Sequence, residues 1–315
     1  MADTLSDLER SEMIESFTGI VDSQFAKSSM MRQLTNVQLV RGTDTLINRR
    51  VGRTTLQALT PGVRPDSTQT QFGRVAVTVD TVVLARDNQS LLNSFQTDFS
   101  VREEIGIDQG KEHGKFFDQA LIIQAMKGAA LGAPANLNGA IGAGKLTTLT
   151  AANDENDPDK LYTAISNILT AMAEEEIDTS ELVVLVRPTH YDVLLNNDKL
   201  INRDYSSSNG DYADGTFKTI KGAMVRETPR IPKAAITGHY LSNAENSNAY
   251  DVSATEARAV AVILHPKSLL VGETIPLTTD VWFNKEEKKW FIDSWISFGA
   301  GPRRPDVCGV VRHTV

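Results

Sequence analysis

The chain has 315 residues, 41% of them apolar and 23% charged, and a net charge of −8. That is the composition of a globular protein long enough for two ordinary domains or one large one. The acidic balance excludes a wholesale electrostatic nucleic-acid binder, no apolar run approaches bilayer-spanning length, and the polar, acidic stretch Met1–Arg10 does not read as a secretory signal. The one cysteine, Cys308, excludes an internal disulfide, fits a reducing compartment and reads as a small buried residue.

Residues 1–40 carry Leu5, Leu8, Ile14, Phe17, Ile20 and Val21 in a short amphipathic pattern with no accompanying strands. They read as an arm that packs on something else. Next comes a two-stranded arm. A strand-like segment over Thr45–Thr60 leads to the bend Pro61-Gly62-Val63-Arg64-Pro65, and then Val75, Val77, Val79, Thr81 and Val83 alternate with Ala76, Thr78, Asp80 and Val82. Two strands alone are marginal in water. An arm rich in arginine and poor in large apolar residues is therefore expected to lie on another surface, the alternative being a hairpin folded back on its own domain.

Ser100–Ala130 reads as one long helix. Ser100 with Glu103 makes a capping box, Glu103 and Glu104 suit the positive end of the helix dipole, Lys127 suits the negative end, and Gly128 is a stop. Val101, Ile105, Phe116, Ala120 and Ile123 share one stripe, and beside it Gly106, Gly110 and Gly114 lead into Phe117 and Leu121. Three glycines inside a helix cost about 2–3 kcal/mol relative to alanine. The strip is either a bare face where another backbone packs closely or a device for bending the helix.

Gly139-Ala140-Ile141-Gly142-Ala143-Gly144-Lys145-Leu146 nearly matches a phosphate-cradling loop, but Leu146 stands where a hydroxyl would hold magnesium and no buried strand precedes it. Asp157-Pro158 starts a helix carrying Leu161, Ile165, Ile168, Leu169 and Met172 up to Glu174–Glu176. Leu182–Val186 reads as a central strand, Thr189–Asn196 as a helix, Met224–Glu227 and Ala259–Leu264 as strands, and Arg203–Gly215 and 233–256 as loops. The end of the chain returns to strands over Ile275–Val311, with a polar turn at Asn284–Lys288 and a last strand at Val307–Val311. Its aromatic residues Trp282, Phe283, Trp290, Phe291, Trp295 and Phe298 are expected to cover the long helix.

Charge is unevenly spread. Seven arginines between Arg41 and Arg86 face three aspartates, whereas nine acids between Thr150 and Glu181 face only Lys160. Such poles suit subunits that meet unlike surface to unlike surface. Arg49, Arg50, Arg53, Arg64 and Arg74 are accordingly candidate interface residues, with Glu174, Glu175 and Glu176 opposite them and Arg303 and Arg304 between prolines near the end. The five histidines (113, 190, 239, 265, 313) have no metal-ligand spacing, His190 and His265 read as structural, and no nucleophile signature occurs. No catalytic residue, cofactor or metal is expected.

In order and spacing these parts resemble the Hong Kong 97 (HK97) capsid fold, and more closely the major capsid proteins of short-tailed, podovirus-type bacteriophages. The residues that carry the resemblance are Gly52-Arg53-Thr54 with Leu59-Thr60-Pro61-Gly62, Asp98–Ile105, Leu185–Leu194, Lys221-Gly222 with Val225 and Pro229, Leu264–Gly272, Trp295–Gly301, Arg304-Pro305 and Gly309-Val310-Val311. The resemblance implies an α+β, HK97-like chain. Its parts would be an N-terminal arm (1–40), an extended loop (41–86), a peripheral domain (87–156 and 271–315) holding a spine helix (99–130), and an axial domain (157–270).

It further implies self-assembly into hexamers and pentamers of an icosahedral head enclosing double-stranded DNA that is contacted only weakly, with no membrane. A scaffolding protein, a portal protein and a decoration or cement protein are the implied partners, with assembly in the host cytoplasm. Procapsid maturation would bend the spine helix at Gly106, Gly110 and Gly114. Some relatives weld their shells by a lysine–asparagine bond from the extended loop. No lysine lies between Lys27 and Lys111, so a noncovalent shell is expected, and the short segment before the hairpin suggests a separate scaffold with little N-terminal processing. The rival readings are an encapsulin-like compartment and a nucleotide-binding enzyme using Gly139–Lys145.

Overall fold

The structure is a computed structural model that describes residues 7–67, 69–90, 100–201, 210–211 and 215–314. Its helices are α1 (Asp7–Ser28), α2 (Met30–Leu34), α3 (Ser100–Ala129), α4 (Pro158–Glu174), α5 (Pro188–Leu195) and α6 (Asp198–Ile201). The first strands are β1 (Val37–Leu39), β2 (Thr45–Val51), β3 (Phe72–Thr78), β4 (Val83–Ser90), β5 (Lys145–Leu149) and β6 (Val183–Val186). They are followed by β7 (Gly210–Asp211), β8 (Thr216–Phe217), β9 (Thr219–Ile220), β10 (Ala223–Glu227), β11 (Ala259–Leu264), β12 (Leu269–Asn284), β13 (Lys289–Pro302) and β14 (Cys308–His313).

The chain forms two compact units. The first takes Met1–Thr45, Thr78–Leu121 and Val271–Ala300, and the second takes Leu46–Val77, Ile122–Leu270 and Gly301–Val315. These breakpoints fall inside long elements: α3 contributes to unit 1 through Leu121 and to unit 2 from Ile122.

In unit 1 the strand order is β1-β12-β13-β4. β1 runs parallel to β12 with Val37 opposite Val271, and β4 antiparallel to β13 with Arg86 opposite Asp293. β13 covers the first part of α3, as the aromatic run predicts. Phe298 lies 4.7 Å from the fully buried Phe117 ring, and Phe25 of α1 meets Phe117 edge-on at 5.8 Å.

The glycine strip is where α1 seats. A Cβ built on Gly106 would come within 2.7 Å of the Phe17 ring, one on Gly110 within 2.7 Å of the Val21 carbonyl oxygen, and one on Gly114 would collide with Ser28 Oγ. The bare strip therefore has a packing role, which offsets its propensity cost. Residues 7–40 form helices packed on this chain's own α3 and also supply β1, a strand that the expected strandless arm did not include. The Ser100 side chain of the capping box lies outside the described residues.

Unit 2 is built on a six-stranded sheet, β5-β14-β11-β6-β10-β9. β6 and β11 are buried along their whole length, as continuous apolar runs in mid-sheet should be. Asp157 caps α4, its side chain accepting from the Asp159 and Lys160 amides. Leu161, Ile165, Ile168, Leu169 and Met172 of α4 join Val184, Ile263 and Val311 in one core. α4 and the sheet meet tightly at Gly309, where a Cβ would stand 2.7 Å from Ile168 Cγ2.

Three expectations need correction here. The alternating run Val75–Val83 is not one strand: it breaks after Thr78, so that β3 pairs with β2 and β4 with β13. The glycine-rich stretch contains an unforeseen edge strand, β5, parallel to β14. Residues 233–256 are irregular but not simply exposed. Tyr250 and Val252 are buried, Gln124 donates to the Ala249 carbonyl at 3.1 Å, and Lys127 pairs with Glu256 at 2.7 Å. Most of the loop Arg203–Gly215 lies outside the described residues. Among the described residues no helix is long and apolar enough to cross a membrane.

Candidate assembly surface

The feature that stands out from unit 2 is the arm formed by β2, β3 and the segment between them. The ladder ends at the pair Gly52–Gln71, where the Gly52 amide donates to the Gln71 carbonyl at 2.8 Å. Leu137, 1% exposed, is wedged at this point. A Cβ on Gly52 would lie 3.2 Å from the Leu137 carbonyl oxygen and one on Gly73 3.1 Å from Leu137 Cδ2, and the Arg53 amide donates to the same carbonyl at 3.2 Å. The two glycines let the arm's two chains close on one buried leucine.

Among the described residues the arm has no regular pairing beyond Leu137. The Val63 amide donates to the Thr60 carbonyl at 3.1 Å, and the Gln57 side chain donates to the Asp66 carbonyl. Leu56, Leu59, Val63 and Phe72 are 91%, 75%, 63% and 69% exposed. This corrects the expectation of an arm poor in large apolar residues. Its root rests on its own unit and its tip carries uncovered apolar side chains, the kind of surface that marks contact with another molecule. The signal in the sequence was the set of leucines around Thr60-Pro61-Gly62 with no alternation able to bury them.

The candidate charged residues fall in several places. Arg49, Arg53, Arg64 and Arg74 are exposed along the arm, and Arg50 is half-buried at its root. Arg50 Nη2 donates to the Pro302 carbonyl at 3.4 Å, next to Arg303 and Arg304. Arg304 forks onto the buried carboxylate of Asp306, with Nη2 to Oδ2 at 2.5 Å. Burial pushes the Arg50 guanidinium below its ordinary range; the Asp306 carboxylate opposes that shift and the charges on Arg303 and Arg304 add to it. Glu174 and Glu176 are exposed, whereas Glu175 pairs with Lys145 of its own chain. The arginines of the root thus gather in one cluster, and the acids of 174–176 do not meet them within the subunit's described contacts.

That pairing also bears on the Gly139–Lys145 loop. Lys145 opens an edge strand, and a Cβ on Gly142 would touch the Glu175 carboxylate. A phosphate-cradling loop needs a helix after its lysine and a free ammonium; neither is present. Among the described residues there is no group of three metal-ligating side chains. His113, His190 and His239 are buried, and burial holds each below the usual imidazole range. The Cys308 thiol is buried and pushed up to about 12, which makes it inert as a nucleophile.

Comparison with known proteins gives structural likenesses along nearly the whole chain. The mature capsid of bacteriophage PhiM1 matches with a TM-score of 0.80 at 28% identity, over 91% of this chain and 87% of that one. The capsid of cyanophage P-SCSP1u matches with a TM-score of 0.80 at 15% identity, over 91% and 88%. A virus-like particle from Pyrococcus furiosus matches with a TM-score of 0.57 at 11% identity, over 96% and 100%. No family model and no curated protein matches the chain. The mixed helix-and-sheet fold is that of HK97-like capsid proteins.

Proposed function

We infer that this chain is a major capsid protein, the repeating tile of an icosahedral bacteriophage head. The observation that carries the reading is the match to the PhiM1 mature capsid, at 28% identity and a TM-score of 0.80 over 91% of the chain. The tile builds hexamers and pentamers around double-stranded DNA, and its place is the shell of the virion. A structural, non-enzymatic role follows from the same likeness.

In functional terms residues 1–40 are the N-terminal arm, 41–86 the extended loop that drapes over a neighbouring copy, 99–130 the spine helix of a peripheral domain (87–156 and 271–315), and 157–270 the axial domain. The uncovered leucines of the arm tip support the draping. Arg49, Arg53, Arg64 and Arg74 act there by contact with acidic neighbours. The short-tailed type of virion, assembly in the host cytoplasm, and scaffolding, portal and decoration proteins as partners belong to the same reading. So does a spine helix that bends at Gly106, Gly110 and Gly114 as the procapsid matures; since α1 fills that strip, such a bend has to shift α1 as well.

Electron microscopy of the purified chain, with and without a scaffolding protein, tests the reading: closed icosahedral shells are expected, and a chain that stays monomeric under both conditions overturns it. An encapsulin-like compartment has the same fold, and the contents of the particles separate the two, DNA in one case and a protein cargo in the other.

A further inference from the structure

Two of the three guanidiniums at the arm's root, those of Arg50 and Arg303, are short of acceptors. Arg50 sits in β2 with its Nε buried and no hydrogen-bond partner, and its Nη2 has only the long contact to the Pro302 carbonyl at 3.4 Å. Arg304 is satisfied by Asp306, whose side chain is 5% exposed and fully committed to that fork. The Arg303 amide, like that of Arg304, donates to the Ser268 carbonyl, which fixes the backbone here, yet the Arg303 guanidinium has no acidic partner among the described residues. One carboxylate, paired with Arg304, therefore lies among three cations on a chain whose net charge is −8. A partly desolvated guanidinium without an acceptor is unfavourable unless a further anion completes it.

We propose that Arg50, Arg303 and Arg304 form a receptor for a carboxylate side chain of a second copy of this chain, empty in the free subunit and filled on assembly. The inference rests on the shell reading and names the chemistry of one of its contacts. A carboxylate suits the site because planar, forked recognition is what clustered arginines provide. The second copy brings exposed acids that have no ion-pair partner among the described residues of their own subunit, Glu174 and Glu176 being the first candidates. Nucleic-acid phosphate fits less well, since three clustered arginines on an acidic chain are not the extended basic stripe that duplex binding needs.

The test uses the full chain with Arg50→Met, which keeps the packing stem and removes the charge, and separately with Arg303→Gln. Arg304 is left alone because its loss would strand Asp306. In the unassembled subunit Arg50→Met is expected to raise the melting temperature and Arg303→Gln to leave it unchanged. In assembled shells both are expected to lower the salt concentration at which particles dissociate, with yields down about tenfold.

Variant shells as salt-resistant as the unaltered ones overturn the proposal while leaving the shell reading standing. If the unaltered chain itself forms no shells, it is the shell reading that fails. Empty variant shells of normal stability combined with weakened binding of duplex DNA would assign the site to phosphate and overturn the proposal too.

Discussion

Asp118 of the central helix caps a second helix far away in sequence: its Oδ1 accepts from Ser29 Oγ at 2.6 Å, where α2 begins. The same carboxylate accepts from the Met30 and Met31 amides at 2.9 and 3.0 Å, and Asp118 and Ser29 are both fully buried. One turn on, Arg32 reaches Glu273 with both terminal nitrogens and lies 5.0 Å from the Phe25 ring centroid. The N-terminal helices are thus held by a charged cap, an ion pair and the glycine groove, all within unit 1.

Asp118→Ala removes the acceptor for three donors, two of them buried. The expected loss is about 3 kcal/mol in denaturant unfolding of the unassembled chain. Protease cleavage after Lys27 and Arg32 should rise in parallel; unchanged cleavage would show that the cap does not hold the arm.

Gly110→Ala and Gly19→Ala should move stability in opposite directions. The new methyl at 110 meets backbone, the Val21 carbonyl oxygen at 2.7 Å, and a net loss of about 1–3 kcal/mol is expected despite alanine's better helix propensity. At Gly19 of α1 nothing lies within 4 Å, so alanine should stabilise by about 1 kcal/mol. Thermal unfolding of the pair checks both signs.

Acid should weaken the subunit before its carboxylates titrate. His113 is pushed below the usual range by burial, its Nε2 lying 2.9 Å from Ser294 Oγ. His190 is lowered by burial, then by the Arg187 and His313 charges, with Glu155 opposing. Because the folded state takes up these protons less readily than the unfolded one, stability is constant above the unfolded value of about 6.5 and falls as pH drops from there toward the folded values. Denaturant titrations between about pH 7 and pH 5 should show the decline, and His113→Gln should flatten it.

The double change Leu56→Asp, Leu59→Asp should abolish shells without weakening the subunit. Both leucines are uncovered in the free chain, so its unfolding should shift by no more than about 0.5 kcal/mol. Sedimentation would find subunits where the unaltered chain gives particles.

Mature particles should run as a single band of subunit mass on a denaturing gel, since no lysine lies between Lys27 and Lys111 to donate an amine from the arm. A ladder of covalent oligomers would contradict this.

Elements with strong local signals could be read from the chain directly. The Asp157-Pro158 cap, the unbroken apolar runs of β6 and β11, and the turn at Asn284–Lys288 each satisfy a local rule, and each lies where expected. What escaped was decided by partners distant in sequence. Asp118 looks like any polar helix residue until Ser29 is placed beside it. The break after Thr78 leaves no local trace, because Val79 and Val83 keep the alternation while their pairing changes sheet. Leu137 reads as a loop leucine until Gly52 and Gly73 close on it. Among the charged candidates, composition could gather arginines and acids into poles, but only geometry separates Glu175, engaged by Lys145, from its neighbours.

The wedge at Leu137 sets a fixed origin from which the arm's span is counted. From Gly52 to the bend at Gly62, a fully stretched backbone covers about 35 Å at most, and among the described residues no ladder bonds beyond the wedge commit it to one direction. In the proposed shell, a tile that closes rings of five at some vertices and of six elsewhere needs a limb of that sort: rigid where it leaves the body, adjustable where it lands, so that one polypeptide serves inequivalent positions without rebuilding its core.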